Sequence, residues 1–210
     1  VDLITFTGSS TTGRSIAERA GYKRLVLELG GSSALLVLSD ADITEAVDIT
    51  ITGLFKNSAQ RCTAIRRILV HSSLADAFAK LLAEQTAEIT YGDPYDPEND
   101  MGTVISVGAA KEMERRVNDA IARGARLLTG HKRDGALYAP TVLDRVENSY
   151  PLVAQETFGP IAAILPFDTE DEVVARANDS EYGLVAYLHA HDPRRIYRVS
   201  RALQYGMVAV

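Results

Sequence analysis

The sequence predicts an α/β protein with a largely parallel sheet covered by helices on both faces. Three observations carry that expectation. Apolar periodicity switches repeatedly between 2 and about 3.6 residues, so strand-like and helix-like segments alternate along the chain. Turn signals rich in Gly, Pro and Asp separate them, at Tyr91-Gly92-Asp93-Pro94, Arg133-Asp134-Gly135 and Phe158-Gly159-Pro160. The 210 residues, 46% hydrophobic and 24% charged, can bury a substantial core and are too apolar for a disordered or collagenous chain.

Strands are expected over residues 3–6 and 25–28, with a helix starting near Thr12 between them. The wholly apolar run 34–38 reads as a buried strand. A helix from 43 to about 57 follows, with Asp42 as its N-cap. Beyond a strand over 67–70, the helix 74–88 sets Leu74, Phe78, Leu81, Leu82 and Ile89 on one stripe. A helix over 107–123, strands over 125–128 and 161–165, and a helix over 170–178 come next. A strand over 184–189, a helix over 193–203 and a strand over 207–210 complete the order, with no internal repeat. The chain opens with Val1 inside one strand-like run and closes inside another, so both ends are expected to be cuts in a longer protein.

Composition excludes several classes of function. With 22 basic and 28 acidic residues the net charge is −6, and no basic stripe is present, so nucleic acid is not an expected partner. No apolar run is long enough to span a bilayer, and nothing near the start resembles a signal peptide. Cys62 is the single cysteine and cannot form an internal disulfide, which fits a reducing cytoplasm. His189 and His191 alternate on a strand and the acidic residues are scattered, so no metal site is expected.

Four short motifs can carry chemistry. Phe6-Thr7-Gly8-Ser9-Ser10-Thr11-Thr12-Gly13 runs from a strand through a Gly-bounded turn into a helix, whose N-terminal N–H groups suit a phosphate. It nearly spells a nucleotide-hydrolase P-loop, with the run into Asp40 as the strand that would hold magnesium. Arg14 stands where that motif needs Lys, which disfavours a hydrolase. Leu27-Glu28-Leu29-Gly30-Gly31 ends a strand in a carboxylate that is either a base or a solvated terminus. Asn57-Ser58-Ala59-Gln60-Arg61-Cys62-Thr63 holds the thiol. Lone cysteines are commonly small buried hydrophobes, but polar neighbours and the Arg61 charge favour a reactive thiolate here. In Gln155-Glu156-Thr157-Phe158-Gly159-Pro160, Glu156 can accept from a ribose beside the apolar wall of Phe158, or the segment is simply a turn with a buried Phe.

In this order, the motifs resemble those of the aldehyde dehydrogenase superfamily. The interval from Glu28 to Cys62 matches that family's spacing between general base and nucleophile. The resemblance continues through Asn178-Asp179-Ser180-Glu181-Tyr182-Gly183-Leu184 and Gly206-Met207-Val208, and so covers essentially the whole chain. It implies a three-layer catalytic domain with a largely parallel sheet over 31–210, preceded at 1–30 by the C-terminal remnant of a Rossmann-like NAD(P)-binding domain. Oxidation of a small-molecule aldehyde to the carboxylate with NAD or NADP is the implied activity, in a homodimer or homotetramer. Cys62 would be the nucleophile and Glu28 the base. Gly8, Ser9, Leu29, Glu156 and Phe158 would bind the cofactor, with Gly8 and Ser9 at the pyrophosphate. The family's oxyanion-holding asparagine lies in an N-terminal segment not found here, so this piece is expected to be inactive alone; a non-catalytic truncated domain is the alternative.

Further features resemble the branch of phosphonoacetaldehyde dehydrogenases: the short linker 20–24, Arg61 and Thr63 flanking the thiol, and the stretches 91–94, 100–105 and 133–138. Arg61 and Thr63 are then the substrate-binding residues, the guanidinium being a bidentate host for a phosphonate. Non-phosphorylating glyceraldehyde-3-phosphate and succinate-semialdehyde dehydrogenases are the neighbouring alternatives. Two departures stand out. Ser32-Ser33-Ala34 replaces the family's polar pair and Pro, and Ala59 replaces the usual Gly before Gln60.

Overall fold

The computed structural model describes residues 1–210. At its start, β1 (Leu3–Thr7) and β2 (Arg24–Glu28) pair in parallel around α1 (Ser10–Arg19), forming a separate two-stranded sheet. Ser9 caps α1, its Oγ accepting from the Thr12 N–H. The main body follows as β3 (Ser33–Val37), α2 (Ile43–Phe55), β4 (Ile65–His71), α3 (Ser72–Ala87) and α4 (Val107–Ala122). Next come β5 (Arg126–Thr129), a two-residue hairpin of β6 (Arg133–Asp134) and β7 (Leu137–Tyr138), β8 (Thr141–Asp144) and the one-turn α5 (Pro151–Ala154). β9 (Ile161–Phe167), α6 (Glu170–Asn178), β10 (Val185–His189), α7 (Pro193–Ala202) and β11 (Met207–Ala209) close the chain.

Seven strands form one sheet in the order β11-β10-β3-β4-β9-β8-β5. Every pairing in it is parallel except β5 with β8, so the expected largely parallel sheet is present. The period of two along a strand divides the core. On β3, Ala34 and Leu36 pack with Met113 and Val117 of α4, Val173 of α6 and Val199 of α7. Leu35 and Val37 turn the other way, onto Val47 and Leu54 of α2 and Phe78 and Leu82 of α3. Both faces are therefore covered, which is why β3 is apolar at nearly every position.

Three sequence expectations need correction. Helix α2 stops at Phe55 instead of running to about 57, because Asn57, Ser58 and Ala59 all take positive φ (56°, 52° and 57°). β4 begins two residues early, at Ile65, and carries Arg66 and Arg67 into the interior. Arg67 is 1% exposed and satisfied by the carbonyls of Ser32, Arg176 and Ala177 and by the Tyr205 hydroxyl. Finally, β8 and the β6–β7 hairpin escape sequence reading, being too short to show a period and framed by polar residues.

Chain direction makes the two ends of the large sheet different. Gly31, Cys62, Glu156 and Tyr182 lie before the N-terminal ends of β3, β4, β9 and β10, while Gly8 and Leu29 follow the C-terminal ends of β1 and β2. The opposite end is stitched by ion pairs: Arg195 bridges Asp40, after β3, to Glu170, after β9, and Arg198 joins Glu170. The N–H groups of His191 and Asp192 also donate to Asp40.

Candidate active site

Cys62 is exposed, on a turn that few sequences would adopt. Three consecutive non-glycine residues in the left-handed region cost about 1–2 kcal/mol each, so the turn must be held from outside. The Ser58 hydroxyl donates to the Gly102 carbonyl (2.9 Å) and the Thr103 carbonyl (3.3 Å). Gln60 accepts from the Ile105 N–H (2.7 Å), and the Gln60 N–H donates to the Asn57 carbonyl (2.9 Å). The stretch 100–105 noted in the sequence is thus the brace of the thiol-bearing turn. Ala59 occupies a left-handed position where the family's glycine would be unstrained, which is the physical content of that departure.

Gly30 and Gly31 pass between the thiol-bearing turn and Glu156. A Cβ on Gly31 would overlap the Cys62 carbonyl oxygen, and one on Gly30 would overlap the Glu156 carboxylate. The Gly31 N–H donates to Glu156 Oε1 at 3.0 Å. Glu156 also has the Arg66 guanidinium at 3.9 Å and donates its own N–H to the Tyr182 hydroxyl (3.2 Å). Its carboxylate is therefore already anchored to the Gly31 backbone. Phe158 is 39% exposed, with the Arg66 guanidinium 5.0 Å from its ring centre.

The other predicted residues are dispersed around this centre. Glu28 is exposed at the end of β2, three residues before Gly31, and its carbonyl accepts from the Gly8 N–H (3.0 Å). Gly8 sits where a Cβ would strike the Phe6 ring, and Ser9 spends its hydroxyl on capping α1. Leu29 lies against Gly13 of α1. Arg61 turns back to α2, donating to the Gly53 carbonyl (2.7 Å), while its Nε has no partner. The Thr63 carbonyl accepts from the Tyr187 hydroxyl (2.8 Å).

Two arginines escaped the sequence reading. Arg66 from β4 donates to the Thr157 carbonyl (2.6 Å), and Arg116 from α4 donates to the Glu156 carbonyl and the Thr157 hydroxyl (2.9 Å each). The signal for Arg66 was available: an Arg pair inside an apolar strand run demands buried partners. No group of three or more His, Cys, Asp or Glu side chains is gathered closely enough to hold a metal ion. No helix is long and apolar enough to cross a membrane.

Fold and site define an α/β protein whose one exposed thiol sits where a small βαβ unit meets the N-terminal edge of a parallel sheet. Residues 1–210 match the Aldehyde dehydrogenase family throughout. A probable NADP-linked succinate-semialdehyde dehydrogenase of Sinorhizobium fredii is 40% identical over 100% of this chain and 44% of its own length. A 3-sulfolactaldehyde dehydrogenase of Priestia aryabhattai is 38% identical over the same shares. The solved glyceraldehyde-3-phosphate dehydrogenase of Methanocaldococcus jannaschii, complexed with NADP, superposes with a TM-score of 0.96 at 38% identity, covering 100% of this chain and 45% of that one. The chain belongs to the aldehyde dehydrogenase family, and it spans somewhat less than half the length of these relatives.

Proposed function

We propose that the intact protein oxidises an aldehyde bearing an anionic tail to the carboxylate, with NAD or NADP as hydride acceptor. The observation that carries this reading is the convergence of three motifs: Gly31 touches the Cys62 carbonyl on one side and donates to Glu156 on the other. Residues 1–30 would complete the cofactor domain and 31–210 form the catalytic domain of a cytoplasmic homo-oligomer.

The chain's residues fit a dinucleotide. Gly8 offers backbone without a Cβ, beside the N-terminus of the ten-residue α1, which suits a pyrophosphate. Glu156 and Phe158 would face the nicotinamide ribose, and Leu29 would line the same path. When bound, the nicotinamide supplies the acceptor for the hydride.

Cys62 acts as the thiolate, its Sγ adding to the aldehyde carbon. The Cys62 N–H donates to no backbone carbonyl, so it is free to hold the resulting oxyanion. Departure of hydride leaves a thioester on Sγ. Glu28 then takes a proton from the attacking water, and cleavage of the C–S bond releases the carboxylate and restores the thiolate.

For the substrate, the names of the three relatives given above share a chemistry: succinate semialdehyde, sulfolactaldehyde and glyceraldehyde 3-phosphate carry a carboxylate, a sulfonate and a phosphate. Arg61 precedes the thiol in sequence and keeps Nη1 uncommitted while Nη2 donates to the Gly53 carbonyl, which supports an anionic tail. The narrower reading, a phosphonoaldehyde such as phosphonoacetaldehyde, rests on that guanidinium together with Thr63. The test is kinetic: the intact enzyme is expected to turn over anion-tailed aldehydes with a kcat/KM at least tenfold above that for propionaldehyde, by roughly one charge-assisted hydrogen bond. Equal values overturn the substrate class, and no turnover of any aldehyde overturns the reaction.

A further inference from the structure

Arg66 is the one buried cation that touches both halves of the candidate site. Its residue is 5% exposed, in a strand whose other buried positions, Arg67 apart, are apolar. One guanidinium nitrogen, Nη2, donates to the Arg61 carbonyl (2.9 Å) and the Ala59 carbonyl (3.2 Å), on the turn that leads into Cys62. The other, Nη1, donates to the Thr157 carbonyl (2.6 Å), between Glu156 and Phe158. The Glu156 carboxylate is 3.9 Å away and the Phe158 ring centre 5.0 Å. A strained turn and a distant motif are therefore fixed to one rigid planar fork.

We propose that Arg66 is a positioning residue that locks the Cys62 turn onto the Glu156–Phe158 segment and keeps a fixed positive charge behind the thiol. The proposal rests on the reading of Cys62 as the nucleophile. Geometry favours Arg66 over Arg61 for this task, because the Arg61 guanidinium points back to the Gly53 carbonyl on α2. Burial lowers the Arg66 guanidinium to about 10, while the charges of Glu156 and the Cys62 thiolate act against that fall, so the group stays cationic at neutral pH. Its Nε is buried without a partner, a cost that a purely structural strand residue would be under no pressure to retain.

The test uses the 210-residue chain, whose single thiol makes alkylation unambiguous. Rates with anionic iodoacetate and neutral iodoacetamide are measured at pH 7, and their ratio reports the local charge independently of access to the sulfur. Arg66→Met is expected to lower the iodoacetate-to-iodoacetamide ratio about three- to tenfold, the range for loss of one unit charge adjoining the Cys62 turn and partly screened by solvent. Arg66→Lys, which keeps the charge, is expected to restore most of it. A folded Arg66→Met protein with the wild-type ratio overturns the proposal.

Should Arg66→Met fail to fold, Arg66→Lys decides alone. A compact ammonium cannot span the Ala59, Arg61 and Thr157 carbonyls, so amide hydrogen exchange is expected to rise in 57–62 and 156–158. Unchanged exchange in both segments overturns the lock. Wild-type labelling slower than that of a small reference thiol strikes instead at the nucleophile reading, and the proposal falls with it.

Discussion

The backbone N–H of Gly31 donates to the carboxylate of Glu156 at 3.0 Å, across 125 positions of sequence. Because Gly31 also abuts the Cys62 carbonyl, a change at any of the three is felt by the other two.

Gly31→Ala should expose that dependence. The new Cβ meets a backbone oxygen, which cannot swing aside as a side chain could. Overpacking of this kind costs about 1–3 kcal/mol. Thermal unfolding should show the loss, and the iodoacetamide rate at Cys62 should change with it. A wild-type melting temperature and labelling rate together would refute the coupling.

Relief of strain is expected at Ala59→Gly. A left-handed alanine costs about 1–2 kcal/mol, and the extra freedom of glycine in the unfolded chain returns about 0.4–1 kcal/mol of that. The variant should be neutral to about 1 kcal/mol more stable by urea denaturation. Ser58→Ala should go the other way by about 1 kcal/mol or more, since it keeps the strain and removes the bonds to Gly102 and Thr103.

Arg61→Leu addresses substrate choice in the intact enzyme. For phosphonoacetaldehyde, kcat/KM should fall about ten- to a hundredfold, the worth of one or two charge-assisted hydrogen bonds. Propionaldehyde should be affected much less. Equal losses on the two would leave Arg61 a role at the thiol alone, and no loss on either would remove it from the site.

Acid should loosen the Glu156–Thr157 segment through Glu112. Hydrogen bonds from Arg115 and then Arg116 hold this carboxyl at about 2, below its ordinary 4.5. A folded-state value below the unfolded one gives stability that is whole above the unfolded value and is lost as pH falls through the folded one. The side chain is 44% exposed, so solvent screens the pair and Glu112→Gln should cost about 1 kcal/mol or less at pH 7. The gap between the two proteins should narrow from about pH 5 and close near pH 2. A gap that stays constant across that range would mean that Glu112 charge contributes nothing.

Legibility in the sequence followed length and period. β3 and β9 announce themselves as apolar runs buried on both faces, and α3 and α4 because each repeats its pattern over several turns and buries one consistent face. The two-residue strands of the hairpin at 133–138 have no period to read. Cys62 and Glu28 stood out by residue type and spacing, whereas the bracing of Cys62 depends on pairs such as Ser58 with Gly102 and Arg66 with Thr157, remote in sequence and invisible to any local pattern. The left-handed turn was legible only as a polar stretch; that alanine occupies it follows from contacts, not propensity.

Because the cluster joining Asp40, Arg195, Glu170 and Arg198 lies past the ends of β3 and β9, the seven-residue β9 separates it from the thiol by about 20 Å. Substitutions that far apart, with no shared partner, add independently. Arg195→Ala should therefore lower the melting temperature and leave Cys62 labelling untouched. The two rims of the sheet are separate ledgers, so heat tolerance can be adjusted along one by successive substitutions while the surroundings of the thiol at the other are altered, and neither change constrains the order in which the other is made.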